Sequence, residues 1–343
     1  SEDQDFDESG FAQSIADYFG THHRLRLMSP QEGVSLVDTL AKVYDEPFAD
    51  LSAIPTYRVC SLAREKVTVA LSGDGGDELF AGYRRHKFHM LEERFRTPMP
   101  LAMRRLIFGP LAKYYPKLDR APQFLRGKST FEALARSSAE AYCQSVSKTP
   151  DRERYRLHTP KMTKMLAGYH PHERFNQLAD EIKGADPLSQ IQYIDMKTYL
   201  PGDILTKVDR ASMAHSLEVR VPILDHEFVE YALRLAPESR IFEGEGKAVF
   251  KQALRGFLPD ETLDRPKKGF MVPAVHWLRN ELAPEVMDLS YSEQLLDTGL
   301  LCRNTVKQLG EEHISGVRDH HTTLWSLIML DRSLKNLKLE IPN

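Results

Sequence analysis

Val67-Thr68-Val69-Ala70-Leu71-Ser72-Gly73-Asp74-Gly75-Gly76-Asp77-Glu78-Leu79-Phe80-Ala81-Gly82-Tyr83 is an apolar run that empties into glycines and three carboxylates. The pattern predicts a buried strand, a tight turn and the start of a helix. Beyond the carboxyl end of a strand in an open α/β sheet, backbone N–H groups and the dipole of the next helix converge, and anions and nucleotides bind there. Asp74, Asp77 and Glu78 would repel a bare phosphate, so the loop points to a polyphosphate bridged by Mg²⁺. The competing view is a glycine-rich turn with a solvated acidic helix start, since Asp and Glu favour the first turn of any helix. The strand, glycines and acids occurring together favour the ligand site. The chain has no Walker-type G-x-x-x-x-G-K-[ST], and Gly73-Asp74-Gly75-Gly76 lacks the Rossmann spacing.

Upstream of this loop, Phe11, Ile15, Tyr18 and Phe19 repeat at helical spacing, with Asp7 as cap and Gly20 as stop. Arg24-Leu25-Arg26-Leu27 alternates like a half-buried strand. Ser29-Pro30-Gln31-Glu32 is a capping box with proline at the first helical position, and Leu36, Val37, Leu40 and Val43 continue that helix. Residues 53–64 read as helix again before Val67. This order of elements predicts an α/β region over 1–83 built on a parallel sheet with crossovers.

Downstream, strand signals vanish and residues 84–343 read as mainly helical. Residues 84–128 hold twelve Lys/Arg against three Asp/Glu, broken by several prolines. Such a segment could contact tRNA or anionic lipid, but it lacks a recognition helix or an interleaved aromatic platform, so a solvated helical subdomain is the better reading. Over the whole chain, 46 Lys+Arg balance 49 Asp+Glu among 343 residues, so global charge points to neither nucleic acid nor membrane. No apolar run reaches the length of a membrane span. Cys60, Cys143 and Cys302 are isolated, without metal-ligand or CxxC spacing, which fits a reducing compartment and makes cytoplasm the expected location. Trp325 with Leu324, Leu327, Ile328 and Leu330 reads as core.

Two clusters in the second half carry charge in patterned form. In Tyr199-Leu200-Pro201-Gly202-Asp203-Ile204-Leu205-Thr206-Lys207-Val208-Asp209-Arg210, the residues Asp203, Lys207 and Arg210 share a helix face, and Glu218, Arg220 and Asp225 follow. Taken alone, this set reads as a structural ion-pair network. On an expected helix from Gly246 to Arg255, Val249, Phe250, Ala253, Leu254 and Phe257 form one stripe with Lys247 and Lys251 at its edge. Like charges at i, i+4 cost a helix roughly 0.2–0.5 kcal/mol, so a nearby anion would explain the pair. Arg265-Pro266-Lys267-Lys268-Gly269-Phe270 adds further positive charge. Cations aimed at a transferring phosphate are a usual source of charge stabilisation.

The block Ser72 to Glu78, the block Asp203 to Asp225 ending in Glu218-Val219-Arg220-Val221-Pro222-Ile223-Leu224-Asp225, and the Lys247/Arg265-Pro266-Lys267 region together resemble the synthetase domain of glutamine-dependent asparagine synthetases. The likeness runs over nearly the whole chain, most weakly through 90–180. It implies a parallel sheet of the ATP-pyrophosphatase type, incomplete at its N-terminus, and a ligase using ATP and Mg²⁺. In such enzymes the aspartate side chain is activated as β-aspartyl-AMP with release of pyrophosphate, and ammonia displaces AMP. Carried over by position, Ser72 and Gly73, with Gly75 and Gly76, would contact ATP, and Asp77 would hold Mg²⁺ and pyrophosphate. Asp74 takes the acidic position tied to the acyl-adenylate, and Lys247 that of the catalytic lysine. Glu78, Arg210, Glu218, Arg220, Asp225, Lys251, Arg265 and Lys267 would support the pocket.

The family's upstream loop Ser-Gly-Gly-x-Asp-Ser does not occur in this sequence, and no glutaminase domain precedes the first block. The expectation is therefore a chain that starts inside the synthetase domain of a larger enzyme, with a glutaminase domain upstream supplying ammonia and with a homodimer by analogy. Alternatives are a related amidotransferase acting on a cell-envelope sugar or peptide, a β-lactam-forming relative, or a non-catalytic binding module that kept the fold.

Overall fold

The glycine-rich loop hangs from two short strands. In the computed structural model, which describes residues 9–115, 127–265 and 272–337, β1 (Val69–Leu71) lies parallel to β2 (Glu218–Arg220), with Val69 opposite Glu218 and Leu71 opposite Arg220. The Ser72 N–H donates to the Arg220 carbonyl at 2.8 Å and extends the ladder into the loop. A second pair, β3 (Ile241–Phe242) and β4 (Glu245–Gly246), is an antiparallel hairpin. Among the described residues these are the two sheets, with two isolated bridges besides, and the protein is a mainly helical α/β structure.

Two strand expectations fail. Residues 24–27 form no strand, because alternation alone supplies no partner ladder. The apolar run ending in β1 is not buried on both faces either: Leu71 is 73% exposed and Val69 39% exposed. Period-two alternation explains the split, since Ala70 faces inward and packs with Val219 against Cys60, Ala211 and Leu217. The opposite face is left open among the described residues.

The helical expectations fare better. Ser29 caps the helix Pro30–Ser35 through the reciprocal bonds of a capping box with Glu32, and Ala53–Arg64 is a helix throughout. The helix Ser9–Phe19 ends at Gly20, yet its Phe11, Tyr18 and Phe19 are about half exposed. The proposed cap Asp7 lies outside the described residues. The main core joins distant parts of the chain: Leu40, Tyr44 and Ile54 pack with Trp277, Leu309, Leu324, Trp325 and Ile328. Helices before the glycine loop thus rest on the last helices of the protein, and burial of this apolar surface fixes β1 in place.

Residues 84–115 are helical, as Arg84–Arg96 and Leu101–Tyr114. Two of their arginines are buried rather than solvated. Arg96 meets Glu92 and Glu93, and Arg104 donates to the carbonyls of Met99, Leu134 and Arg136. A guanidinium bonded to carboxylates or carbonyls can be interior, although the Arg96 Nε is buried without a hydrogen-bond partner among the described residues.

Candidate active site

Gly75 sets the direction of the loop. Its φ of +88° lies in the left-handed region, and a Cβ there would stand 2.3 Å from Leu224 Cδ2. The turn feeds the short helix Gly76–Leu79, so Asp77 and Glu78 sit in a first turn. The Ser72 hydroxyl donates to Asp74 Oδ2 at 2.5 Å, which orients the first acid of the loop.

Lys247 reaches this loop from the other end of the chain. The β3–β4 hairpin delivers it with φ +59°, its N–H donating to the Phe80 carbonyl at 2.7 Å. The helix expected from Gly246 runs only from Ala248 to Leu254, with Lys247 as its left-handed cap. Of the expected stripe, Val249 and Phe250 pack on Leu79, Phe80 and Ala232, whereas Ala253 is exposed within the helix and Phe257 lies beyond its end, also exposed. Lys247 Nζ lies 3.1 Å from Asp77 Oδ1. Gly82 makes that meeting sterically feasible: a Cβ on it would fall 1.9 Å from Asp77 Oδ1 and 2.3 Å from Lys247 Cε. An acid and a lysine far apart in sequence are held together over a residue with no side chain.

Glu78 plays a different part from its neighbours. It is almost fully buried and accepts a 2.6 Å bond from the Tyr83 hydroxyl. Burial pushes its carboxyl above the usual carboxylate range, against the effect of that bond. Behind it, Gln192 Nε2 donates to the carbonyls of Glu78 and Leu79, and Arg240 donates to Gln192 Oε1 at 2.6 Å. This buried bracing locks the loop's helix to the helix Pro187–Lys197.

A cavity of about 650 Å³ opens beside the loop, lined by Ser72, Gly73, Asp74, Asp77, Tyr83 and Tyr199 and floored by Asp50, Ser52 and Lys207. Lys207 Nζ bonds Asp50 Oδ2 at 2.9 Å and Ser52 Oγ at 2.8 Å, and its backbone carbonyl takes a bond from the Tyr44 hydroxyl. Burial opposes ionisation of Asp50, but Lys207 and Lys148 outweigh it and hold the carboxyl well below the usual range. Asp203 goes the other way: burial and the Asp50 charge push it up to about 7. It sits in the π-helical turn Leu200–Leu205, a local form that recurs at functional sites. Asp50, Tyr83 and Tyr199 were not legible as site residues; Asp50 with Ser52 looks like any helix cap. The Asp203/Lys207 spacing was the one available signal.

The remaining expected residues that the structure describes are not among those lining this cavity. Arg210 pairs with Asp45 at 2.5 Å and with Asp209. Glu218 and Arg220 bond each other at 2.7 Å on the solvent face of β2. Asp225 caps the helix His226–Leu233, accepting from the N–H groups of Glu227 and Phe228. Lys251 lies 3.6 Å from Glu245, and Arg265 stacks 5.1 Å from the Phe11 ring centre. Gly76 is next to the loop lysine, a Cβ on it coming 3.8 Å from Lys247 Nζ. Lys267 lies outside the described residues.

Among the described residues no cluster of three or more His, Cys, Asp or Glu side chains could chelate a metal unaided. Asp74 and Asp77 both line the cavity beside the glycine loop.

The asparagine synthase family profile matches residues 1–335. The chain belongs to this family. It is 30% identical over 332 residues to the protein of Bacillus subtilis (strain 168) named asparagine synthetase [glutamine-hydrolyzing] 1, covering 96% of this chain and 50% of that one. A putative asparagine synthetase [glutamine-hydrolyzing] of Mycobacterium bovis is 31% identical over 340 residues, covering 96% and 48%. Amidase chry2 of Gibberella zeae is 24% identical over 303 residues, covering 82% and 44%. The chain spans about half the length of the curated relatives it matches, and the matched part is the synthetase domain. No described helix of this asparagine synthase family member is long and apolar enough to cross a membrane.

Proposed function

We propose that the chain is the ATP-using part of an AMP-forming amide ligase, in which a carboxylate is activated as its acyl-adenylate and ammonia then displaces AMP. The observation that carries this reading is the 3.1 Å meeting of Lys247 with Asp77 at a glycine-rich loop on the carboxyl end of β1. A lysine poised beside a carboxylate is well placed to exchange that partner for phosphate oxygens when a polyphosphate arrives. Asp77, with Asp74 near it, would hold Mg²⁺, which supplies neutralisation of the polyphosphate charge. Ser72, Gly73, Gly75 and Gly76 offer backbone approach for ATP. Asp74, fixed by Ser72, faces the cavity in which the acyl group would be activated and attacked.

Aspartate is the default acceptor, through β-aspartyl-AMP, with ammonia from a glutaminase domain of a longer protein. The segment 1–83 carries the nucleotide-binding loop, and the mainly helical 84–343 contributes β2, the partner strand of β1, and Lys247 to it. The open apolar face of β1, with Val69 and Leu71 exposed, supports a place for these strands in a larger parallel sheet of the ATP-pyrophosphatase type. Relatives named amidases favour, as a second reading, an amidotransferase with another acceptor.

The test is pyrophosphate release with Mg-ATP, aspartate and ammonium, beside Asp77→Ala. Release that needs both aspartate and Asp77 is the expected result. Mg-ATP binding that needs Asp77, without aspartate-dependent release, would transfer the assignment to the second reading, in which a different carboxylate must be present to accept AMP as pyrophosphate leaves. Absence of both release and ATP binding would leave a non-catalytic module.

A further inference from the structure

A larger cavity, of about 780 Å³, lies away from the glycine loop, among the helices Arg84–Arg96, Leu101–Tyr114, Lys128–Leu134, Ser138–Val146 and Asp151–Leu157. Seven of its lining side chains are Arg or Lys and four are Asp or Glu. Three of those four acids are already engaged. Glu92 accepts from Arg96, Asp151 accepts from Arg136 and Arg154, and Glu153 binds His320 and the Thr323 hydroxyl. Of the cations, Arg85 pairs with Asp195, Lys128 donates to the Tyr115 carbonyl, Arg156 donates to Gln308 and Arg318 lies near Glu312; Arg136, Arg152 and Lys113 are less fully engaged. Arg136 has one arm on Asp151 at 3.0 Å, while its Nη1 is buried without a hydrogen-bond partner among the described residues. Its backbone is pinned from behind, the buried Arg104 donating to the Arg136 carbonyl at 2.6 Å. Arg152 and Lys113 are exposed at the rim, without an acidic partner among the described residues. Phe88, Ala112 and Ala141 add apolar wall.

A buried guanidinium nitrogen with no partner is costly unless something supplies an acceptor. The cavity is a partly open hollow among helices, and it lacks the row of aromatic platforms on which single-stranded nucleic acid stacks along a basic groove. A concave, partly apolar hollow with convergent cations is the form of a small-molecule pocket.

We propose that this cavity is a second binding site, for a small organic molecule carrying two or more oxyanion groups, carboxylate or phosphate, held by Arg136, Arg152, Lys113 and Lys128. The site goes beyond the ligase reading and does not depend on it. It also has a structural link to the first cavity. Arg85 lines the larger cavity and is anchored by Asp195 at 3.0 Å, and its guanidinium stacks 3.7 Å from the Tyr83 ring centre and 4.4 Å from that of Tyr199. Both tyrosines line the cavity beside the glycine loop. A ligand drawing on Arg85 therefore acts on a wall shared by the two cavities.

The experiment is titration calorimetry on the full chain at low salt, without ATP, using fructose 1,6-bisphosphate as the phosphate probe and tricarballylate as the carboxylate probe. At least one probe is expected to bind more tightly than about 1 mM. Loss of a charge-assisted contact should weaken that binding about tenfold or more in Arg136→Gln and in Arg152→Glu. Arg152 makes no ion pair among the described residues, so its variant stays informative if Arg136→Gln does not fold. Lys247→Ala should bind the probe unchanged. The proposal is overturned if neither probe binds, if Arg152→Glu binds as well as the unmodified chain, or if binding disappears in Lys247→Ala.

Discussion

Replacing Gly82 by alanine tests whether the Asp77–Lys247 meeting is a positioned feature. Gly82 does not have a left-handed φ, so alanine is acceptable to the backbone and the whole effect must come from the methyl group. That group would stand 1.9 Å from Asp77 Oδ1 and 2.3 Å from Lys247 Cε. To reach ordinary contact, at 3.4 Å or more, the Asp77 carboxylate must retreat by about 1.5 Å and Lys247 Cε by about 1.1 Å. Overpacking of this size costs about 1–3 kcal/mol, and misplacing a reacting group by ~1 Å costs about 100-fold in rate. The assay pairs Mg-ATP calorimetry and pyrophosphate release with a melting curve. Gly10→Ala serves as the control, since its added methyl group meets nothing within 4 Å. Gly82→Ala is expected to melt several degrees lower and to lose most ATP affinity and turnover. A variant that melts, binds and turns over like the parent would refute the argument that Gly82 sets the spacing of the acid and the lysine.

Other outcomes follow from the same contacts. Lys247→Met should cut pyrophosphate release by about 100-fold or more, with a small effect on melting, because the lysine is partly exposed and offers charge rather than packing. Asp203→Asn should raise stability at pH 8 by on the order of 1 kcal/mol, measured by urea unfolding, since it removes a carboxyl that burial and Asp50 hold up to about 7. Burial depresses His89 to about 3 and His313 to about 4. Each is neutral in the folded state while the unfolded chain takes up a proton near pH 6.5, so stability falls as pH drops below that value. Between pH 7 and pH 5 each should cost about 2 kcal/mol. His320, raised despite burial by its bonds to Glu153 and Glu312, works in the opposite sense. Urea midpoints at the two pH values check the net loss, and His89→Gln should shrink it by about 2 kcal/mol.

What the sequence shows clearly is local. The capping box at Ser29, the turn at Gly75 and the Trp325 core segment all depend on residues a few positions apart, and each takes its expected form. What it hides is pairing over distance. Arg24 to Leu27 alternates as a strand should, but a strand needs a neighbour, and none is supplied among the described residues. Arg96 and Arg104 count as surface charge in a composition tally, yet each finds enough acceptors to be buried. Lys247 is reached by spacing on a helix, whereas its position comes from a hairpin and a left-handed backbone.

The same distinction separates the two halves of the candidate site. The glycine loop is contiguous, so Ser72 to Glu78 could be read as a unit. The floor of its cavity is not: Asp50 and Lys207 meet only after the helix Ala53–Arg64 packs against the helix Thr206–Met213. In the folded protein this floor is electrostatically uneven. Lys207 neutralises Asp50, and the second acid, Asp203, is left to be held near neutrality by burial and by the first. A carboxyl kept from full ionisation is a stability cost that packing alone would not require. Asp203→Asn therefore separates two explanations: a gain in stability with unchanged pyrophosphate release means the acid is a tolerated defect, and a gain with lost release means the cost is tied to turnover.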